Sequence, residues 1–289
     1  MIFKYIFPQD KAISREVFTL ALPVILSNLS RVLMSLIDVA MVGRLGAAAI
    51  AATGMGAMLF WGALSLVLGI RTAVQTVASR RLGQKKFSQC GTAFHNGLLM
   101  ATLYGIPVSI AGWLWAKDFI PFFINDIEAT PMAAEYSSII FLTLLFSALS
   151  FVFQGFYTGI EKTRIHLRVT VTSNIINVYL NAGLIYGSEG MKEFIQETIP
   201  ALSFLAPLWQ WTVFPALGVK GAAIATLVAS AWMALHYFTH LFSKQIRHKF
   251  NVFALSVDLS MMRRQLKLAL PQGIQEMVIA VGWSFFYKI

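Results

Sequence analysis

The sequence predicts an all-α membrane protein: a six-helix transmembrane lobe followed by the first helix of a second, missing lobe, with seven spans and a cytoplasmic N-terminus. Three observations predict it. Of the 289 residues, 57% are hydrophobic and 12% charged, against about 25% charge in soluble domains, and mean hydropathy is +0.68. The apolar residues fall into runs of about 20 or more, long enough to cross a bilayer. Finally, LALP at Leu20–Pro23 recurs at Leu268–Pro271, an offset of 248 residues, the internal repeat of a chain built from two equivalent lobes. Two complete lobes call for about 450–490 residues, so the chain reads as a fragment or a truncated product. Its units are then the lobe 1–242, a basic cytoplasmic linker 243–268 and the first helix of the second lobe, 269–289.

The first span, Val17–Val42, makes a helix of about 39 Å interrupted by Pro23, Arg31 and Asp38. A carboxylate inside such a helix is costly in lipid, which makes Asp38 a functional candidate; the alternative is an acid near the outer end that reaches water. The span is too long for a signal-peptide core and no small-residue cleavage site follows, so it is read as a retained helix. The second span, Ala47–Val77, carries Gly54, Gly56, Gly62 and Gly69, small faces that let neighbours approach. Its Arg71 is expected to snorkel to the nearby polar end. The third span, Cys90–Trp115, holds the single cysteine, read as an apolar filler. Met132–Thr158, Ile165–Tyr186, Gly221–Phe242 and Ala269–Phe286 complete the set.

Two connections stand out. Gly187–Lys220 contains Pro200, Pro207 and Pro215, too close together for a crossing helix, and Trp209 and Trp211 suit a segment lying on the outer headgroups. Ser243–Lys267 is basic and partly amphipathic, suited to an anionic inner leaflet. Sixteen of the 23 Lys and Arg residues fall in the N-terminal tail and the connections after the second, fourth and sixth spans, counting Arg168 just inside the fifth span, while seven acids share the opposite side with four bases. This asymmetry places the N-terminus in the cytoplasm. Because the bases lie between apolar spans, the +10 net charge speaks for topology, and no nucleic-acid partner is expected.

Polar residues recur at helical spacing in four spans: Arg31, Ser35 and Asp38; Tyr136, Thr143, Ser147, Ser150 and Gln154; Thr170, Asn174, Asn177 and Asn181; and Thr226, Ser230 and Tyr237. Each stripe alone is explained by hydrogen bonds between helices. Together they place Asp38, Asn181, Thr226 and Tyr136 four or five residues from the outer ends of their spans, with Asn177 a turn deeper. That donor set suits a small hard cation or a proton held by a hydrogen-bonded carboxylate, and does not separate the two. His236 and His240 are too few for a metal site and read as interfacial polar groups. No nucleophile–base pair, phosphate loop or metal constellation points to an enzyme, and no cofactor is expected beyond H⁺ or Na⁺ as coupling ion.

The motifs ALP at Ala21–Pro23, IDVAMVGRLG at Ile37–Gly46, GIRTAVQTVASRRLGQKK at Gly69–Lys86, FQGFYTGIEKTRIHLRVTVTSNIINVYLNAGLIYG across the fourth and fifth spans and GVKGAAIAT at Gly218–Thr226 resemble, in order, those of the multidrug and toxic compound extrusion (MATE) family. The resemblance implies a multi-pass protein of the bacterial inner membrane, with two six-helix lobes flanking an outward cleft. It further implies export of small amphipathic organic compounds in exchange for H⁺ or Na⁺. The implied amino-terminal cation site is Asp38, Asn177, Asn181, Thr226 and Tyr136, with Asn181 where many members carry a second aspartate. Pro23 matches the proline at which the first helix bends. Arg31, Gln154, Asn174 and Ser230 are expected along the substrate cleft, and Arg31, facing inward, is expected to bias it toward neutral or anionic amphiphiles. Glu276 lies about three positions before the glutamate that some relatives carry in the seventh helix. A lipid-linked precursor flippase of the same superfamily and a non-transporting fragment are the alternatives.

Overall fold

A computed structural model describes residues 11–124, 126–198, 200–210 and 213–286. Among them every regular element is helical: α1 (Lys11–Gly43), α2 (Ala47–Gly83), α3 (Phe87–Phe119), α4 (Ala129–Gly159), α5 (Thr163–Thr198), α6 (Val219–Thr239), the short α7 (Lys244–Phe250) and α8 (Leu259–Phe286), with 3-10 turns at Ile120–Phe122, Pro200–Trp209 and His240–Phe242. By length and apolarity α1, α2, α3, α4 and α6 are able to cross a membrane. The fifth and seventh expected spans correspond to α5 and α8, which are helical but fall outside that set because polar side chains dilute them.

α4 is the hub. It packs on α2, α3 and α6, and Leu144, Val152, Phe156 and Tyr157 along it are fully buried. Apolar side chains on its neighbours close around it in the van der Waals packing that holds helices together in lipid. α1 lies at the margin: it packs chiefly on α5, and Val17, Phe18, Val32 and Leu36 stay more than half exposed. Such apolar exposure suits lipid rather than water.

Positive-φ glycines set the turns at the acidic end. Gly46 (φ 107°) begins α2 and Gly187 (φ 74°) breaks α5 just after Tyr186, so the part of α5 alongside the bundle ends where the fifth span was expected to end. Beyond the break, Trp209 is buried. Its Nε1 donates to the Tyr179 carbonyl at 2.9 Å, its ring stacks on Tyr179 at 5.5 Å, and the Tyr179 hydroxyl donates back to the Leu208 carbonyl at 2.9 Å. The expectation that Trp209 lies on the headgroups is therefore corrected: it is a buried anchor on α5. Trp211 lies outside the described residues.

The basic connection after α6 packs on the bundle: its α7 buries Ile246 and Phe250, and residues 251–258 are strapped along α3. His95 Nε2 meets the Val252 carbonyl at 2.8 Å and its Nδ1 accepts from the Ser256 N–H at 3.2 Å. Asn96 donates to the Asp258 carbonyl at 3.0 Å and accepts from the Asp258 N–H at 3.2 Å. Gly91 allows the contact, because a Cβ there would fall 2.0 Å from the Phe250 carbonyl oxygen. Asp258 then caps α8, accepting from the Ser260 and Met261 N–H groups at 2.8 and 3.1 Å. These bonds, the Met261 one foremost, hold its carboxyl below the ordinary carboxylate range, so the cap persists at neutral pH and weakens only as pH falls through that lowered value. His95→Ala leaves buried strap groups unpaired and is expected to cost about 1–3 kcal/mol. The check is hydrogen exchange, which should rise at residues 252–258.

α8 starts at Leu259, inside the stretch expected to be linker, and it is not without a partner. It packs along α2 with backbones nearly touching: a Cβ on Gly69 would lie 2.1 Å from the Ala269 carbonyl oxygen, and one on Gly273 2.9 Å from the Leu66 Cα.

Candidate functional site

Three polar links join α1 to α5. Asn174 Nδ2 donates to Ser30 Oγ at 2.8 Å, Asn181 Nδ2 to Asp38 Oδ1 at 2.5 Å, and the Tyr186 hydroxyl to the Met41 carbonyl at 2.6 Å. The middle link holds the acid. Asn181, 1% exposed, also donates to Asn177 Oδ1 at 3.0 Å. Asn177 reaches the Thr226 hydroxyl on α6 at 3.5 Å, and Thr226 itself donates to the Ala222 carbonyl at 3.0 Å. With both amide hydrogens of Asn181 committed, its Oδ1 is buried with no hydrogen-bond partner. A carboxylate thus sits beside a spare amide oxygen, a combination that attracts a proton or a cation.

Tyr136 comes to this level from α4. Gly56 makes the room, since a Cβ there would lie 2.5 Å from the Tyr136 ring, and Tyr136 is within electrostatic reach of Asp38. The structure therefore brings all five sequence-derived cation-site residues to one region.

The expected cleft residues separate. Gln154 is buried, and its Nε2 lies 2.9 Å from His166 Nε2; it belongs to a packed network, not to an open wall. Asn174 bonds Ser30 and with it lines an open groove between α1 and α5, while Ser230 is half-buried on α6. Arg31 is exposed on α1, donates to Asn28 Oδ1 at 2.6 Å, and is within electrostatic reach of Tyr237, His166 and Arg71. Pro23 is buried in α1, where it lacks the N–H that the Thr19 carbonyl needs. Thr143 and Ser150 are packed in helix contacts, their hydroxyls buried without partners.

Two residues outside the candidate site set hold buried polar positions. His166, 5% exposed, joins α4, α5 and α6: its Nδ1 lies 2.6 Å from the Tyr237 hydroxyl and 3.2 Å from Thr170 Oγ1. The signal was present, because His166 extends the fifth-span stripe by one turn below Thr170. Arg71 has its Nε buried without a partner and its guanidinium 5.7 Å over the Phe151 ring. His236 bonds Thr172 at 2.9 Å and stacks on His240.

Long apolar helices around one carboxylate and its amides define a helical membrane protein with a candidate ion site. The chain belongs to the MatE family, whose family model matches residues 23–182. A probable multidrug resistance protein NorM of Rhodopseudomonas palustris is 25% identical over 258 residues, covering 89% of this chain and 49% of that protein. One from Thermotoga maritima is 22% identical over 291 residues, covering 100% and 57%. A solved multidrug resistance MATE family transporter of the MOP superfamily, in an outward-facing conformation, shares the fold with a TM-score of 0.77 at 20% identity, covering 93% of this chain and 54% of that one. The chain spans about half the length of the curated relatives it matches.

Proposed function

We propose that this chain is the amino-terminal lobe of a secondary antiporter in a bacterial inner membrane, exporting small amphipathic organic compounds in exchange for H⁺ or Na⁺. In this reading the basic end of the bundle is cytoplasmic and a second lobe completes the cleft. The observation that carries it is the Asp38–Asn181 pair with its spare amide oxygen.

The ionised carboxylate accepts from Asn181 and so ties α1 to α5. An arriving cation, proton or Na⁺, takes the Asp38 oxygen for itself, and Asn181 turns its Oδ1 toward the new positive centre. Asn177 and Thr226 absorb the turn, since each hydroxyl or amide in that chain can exchange donor for acceptor roles. The central α1–α5 link is then remade while the Ser30 and Met41 links flank it. α1 has few other contacts to hold it, and the missing N–H at Pro23 lowers the cost of bending. Ion arrival therefore shifts the helix that borders the cleft.

Antiport requires ion and substrate to favour different conformations, so each weakens the other. With the purified chain in detergent, Na⁺ or a drop in pH is expected to displace a bound dansyl amphiphile, weakening its affinity about fivefold or more. Binding indifferent to both ions, across neutral, anionic and cationic amphiphiles, sinks the coupling.

A further inference from the structure

We propose that Arg71 and Arg31 form an anion-binding site, taking the carboxylate, sulfonate or phosphate head of an amphiphile in the half of the lobe nearer the basic loops. The proposal names the substrate class of the transport reading above and rests on that reading only for the claim that the bound anion is cargo.

The two guanidinium groups come from different helices, α2 and α1, and converge on the same neighbours. Arg71 and Arg31 are within electrostatic reach of each other, and both reach Tyr237. Arg31 and Arg71 also both act on His166. The level is fixed by packing: a Cβ on Gly155 would lie 2.5 Å from the Arg71 carbonyl oxygen, and the adjacent Gln154 bonds His166. The Arg71 backbone is thereby held against α4, and its guanidinium lies over the Phe151 ring.

Compensating acid is scarce there. Neither arginine has a carboxylate within 4 Å among the described residues, where the ion pair is Lys220–Glu135 at 2.9 Å, at the acidic end of the bundle. The acid within electrostatic reach of Arg71 is Glu276 on α8, and its Oε1 already accepts from Gln272 at 3.0 Å. Asp38 is seven residues along α1 from Arg31, about 10 Å by helical rise, and is tied to Asn181. Two like charges held near each other with a buried, unpaired Nε between α2 and α4 are a costly arrangement unless an anion joins them. Phe151, under the Arg71 guanidinium, gives the headgroup's first methylenes an apolar surface.

A free organic anion and the headgroup of an acidic lipid offer the same chemistry, and the test separates them. The 289-residue chain in phosphatidylcholine nanodiscs is titrated with dansyl undecanoate, its methyl ester and a quaternary ammonium analogue, without any ion gradient. The carboxylate is expected to bind, and Arg71→Gln and Arg31→Gln each to weaken it about thirtyfold or more, with Arg71→Lys keeping part of the affinity. Glu276→Gln, which frees Arg71 of its one nearby acid, is expected to tighten it. Discs containing phosphatidylglycerol report the source: competition assigns the site to a lipid headgroup, and its absence to a free amphiphile. The proposal is overturned if ester and ammonium bind as well as the carboxylate, or if both arginine variants bind like wild type. Should Arg71→Gln fail to fold, Arg31→Gln and the wild-type preference among the three probes still decide. In the parent chain, preference for the carboxylate probe combined with an affinity that neither Na⁺ nor acidification changes would fault only the antiport reading.

Discussion

Asp38→Asn is expected to abolish the response of α1 to cations. A fluorophore placed at Leu36→Cys reports it, since Leu36 is 62% exposed and the single native cysteine, Cys90, is buried and does not compete for label. In the parent chain, Na⁺ addition or acidification should shift emission as the Asp38–Asn181 link is remade. In the variant, the amide at position 38 keeps the shape and one hydrogen-bond acceptor but carries no charge and takes no proton. Emission should then stay flat from low to high Na⁺ and across the pH range in which the parent responds, while the fold survives because Ser30–Asn174 and Tyr186–Met41 still hold α1. Asn181→Asp tests the same site from the other side. It adds the second carboxylate and, by raising the ligand charge, is expected to tighten Na⁺ binding about tenfold. A variant at position 38 that responds like the parent removes the site from the mechanism.

The parts of this site that the sequence disclosed are those written as periodicity. Asn174, Asn177 and Asn181 share a face because a helix brings every third or fourth residue round, and a face with amides needs partners. Asp38 is conspicuous because an acid in an apolar run has few reasons to be there. What the sequence could not disclose is where a long side chain goes. Arg71 sits close enough to the basic end for snorkelling to be the ordinary outcome, yet the close approach of Gly155 fixes its backbone against α4 and its guanidinium lies over the Phe151 ring with Nε buried. His166 was hidden for a different reason: among the Lys162, Arg164 and Arg168 of a basic connection it reads as another polar end group, and only the fold reveals that Gln154 and Tyr237 close on it. The strap over α3 rests on backbone groups of residues 252–258, which carry no side-chain pattern for periodicity to detect.

Gly54, Gly56, Gly62 and Gly69 of α2 show how much depends on the neighbour, and they set the second large effect. All four offer a small face in the sequence, but a Cβ on Gly54 or Gly62 would meet nothing within 4 Å, whereas one on Gly69 would meet the Ala269 carbonyl oxygen. Gly69→Ala is therefore expected to drive α8 away from α2. The clash is with backbone, which has no rotamer to change, so the helices separate or the chain loses the contact, at a cost of about 1–3 kcal/mol or more. Gly62→Ala, the same change two turns earlier, should be neutral or stabilise by about 0.5–1 kcal/mol through lower unfolded-state entropy. Thermal unfolding of the two variants gives the difference directly, and hydrogen exchange locates it: protection should fall across Ala269–Gly273 in Gly69→Ala alone. The same variant bears on the anion site, because moving α8 carries Glu276 away from Arg71 and leaves that guanidinium freer to take a ligand. Equal melting points for both variants would show that α8 does not need its close seat on α2, and that the repeat beginning at Leu268 docks by some other face.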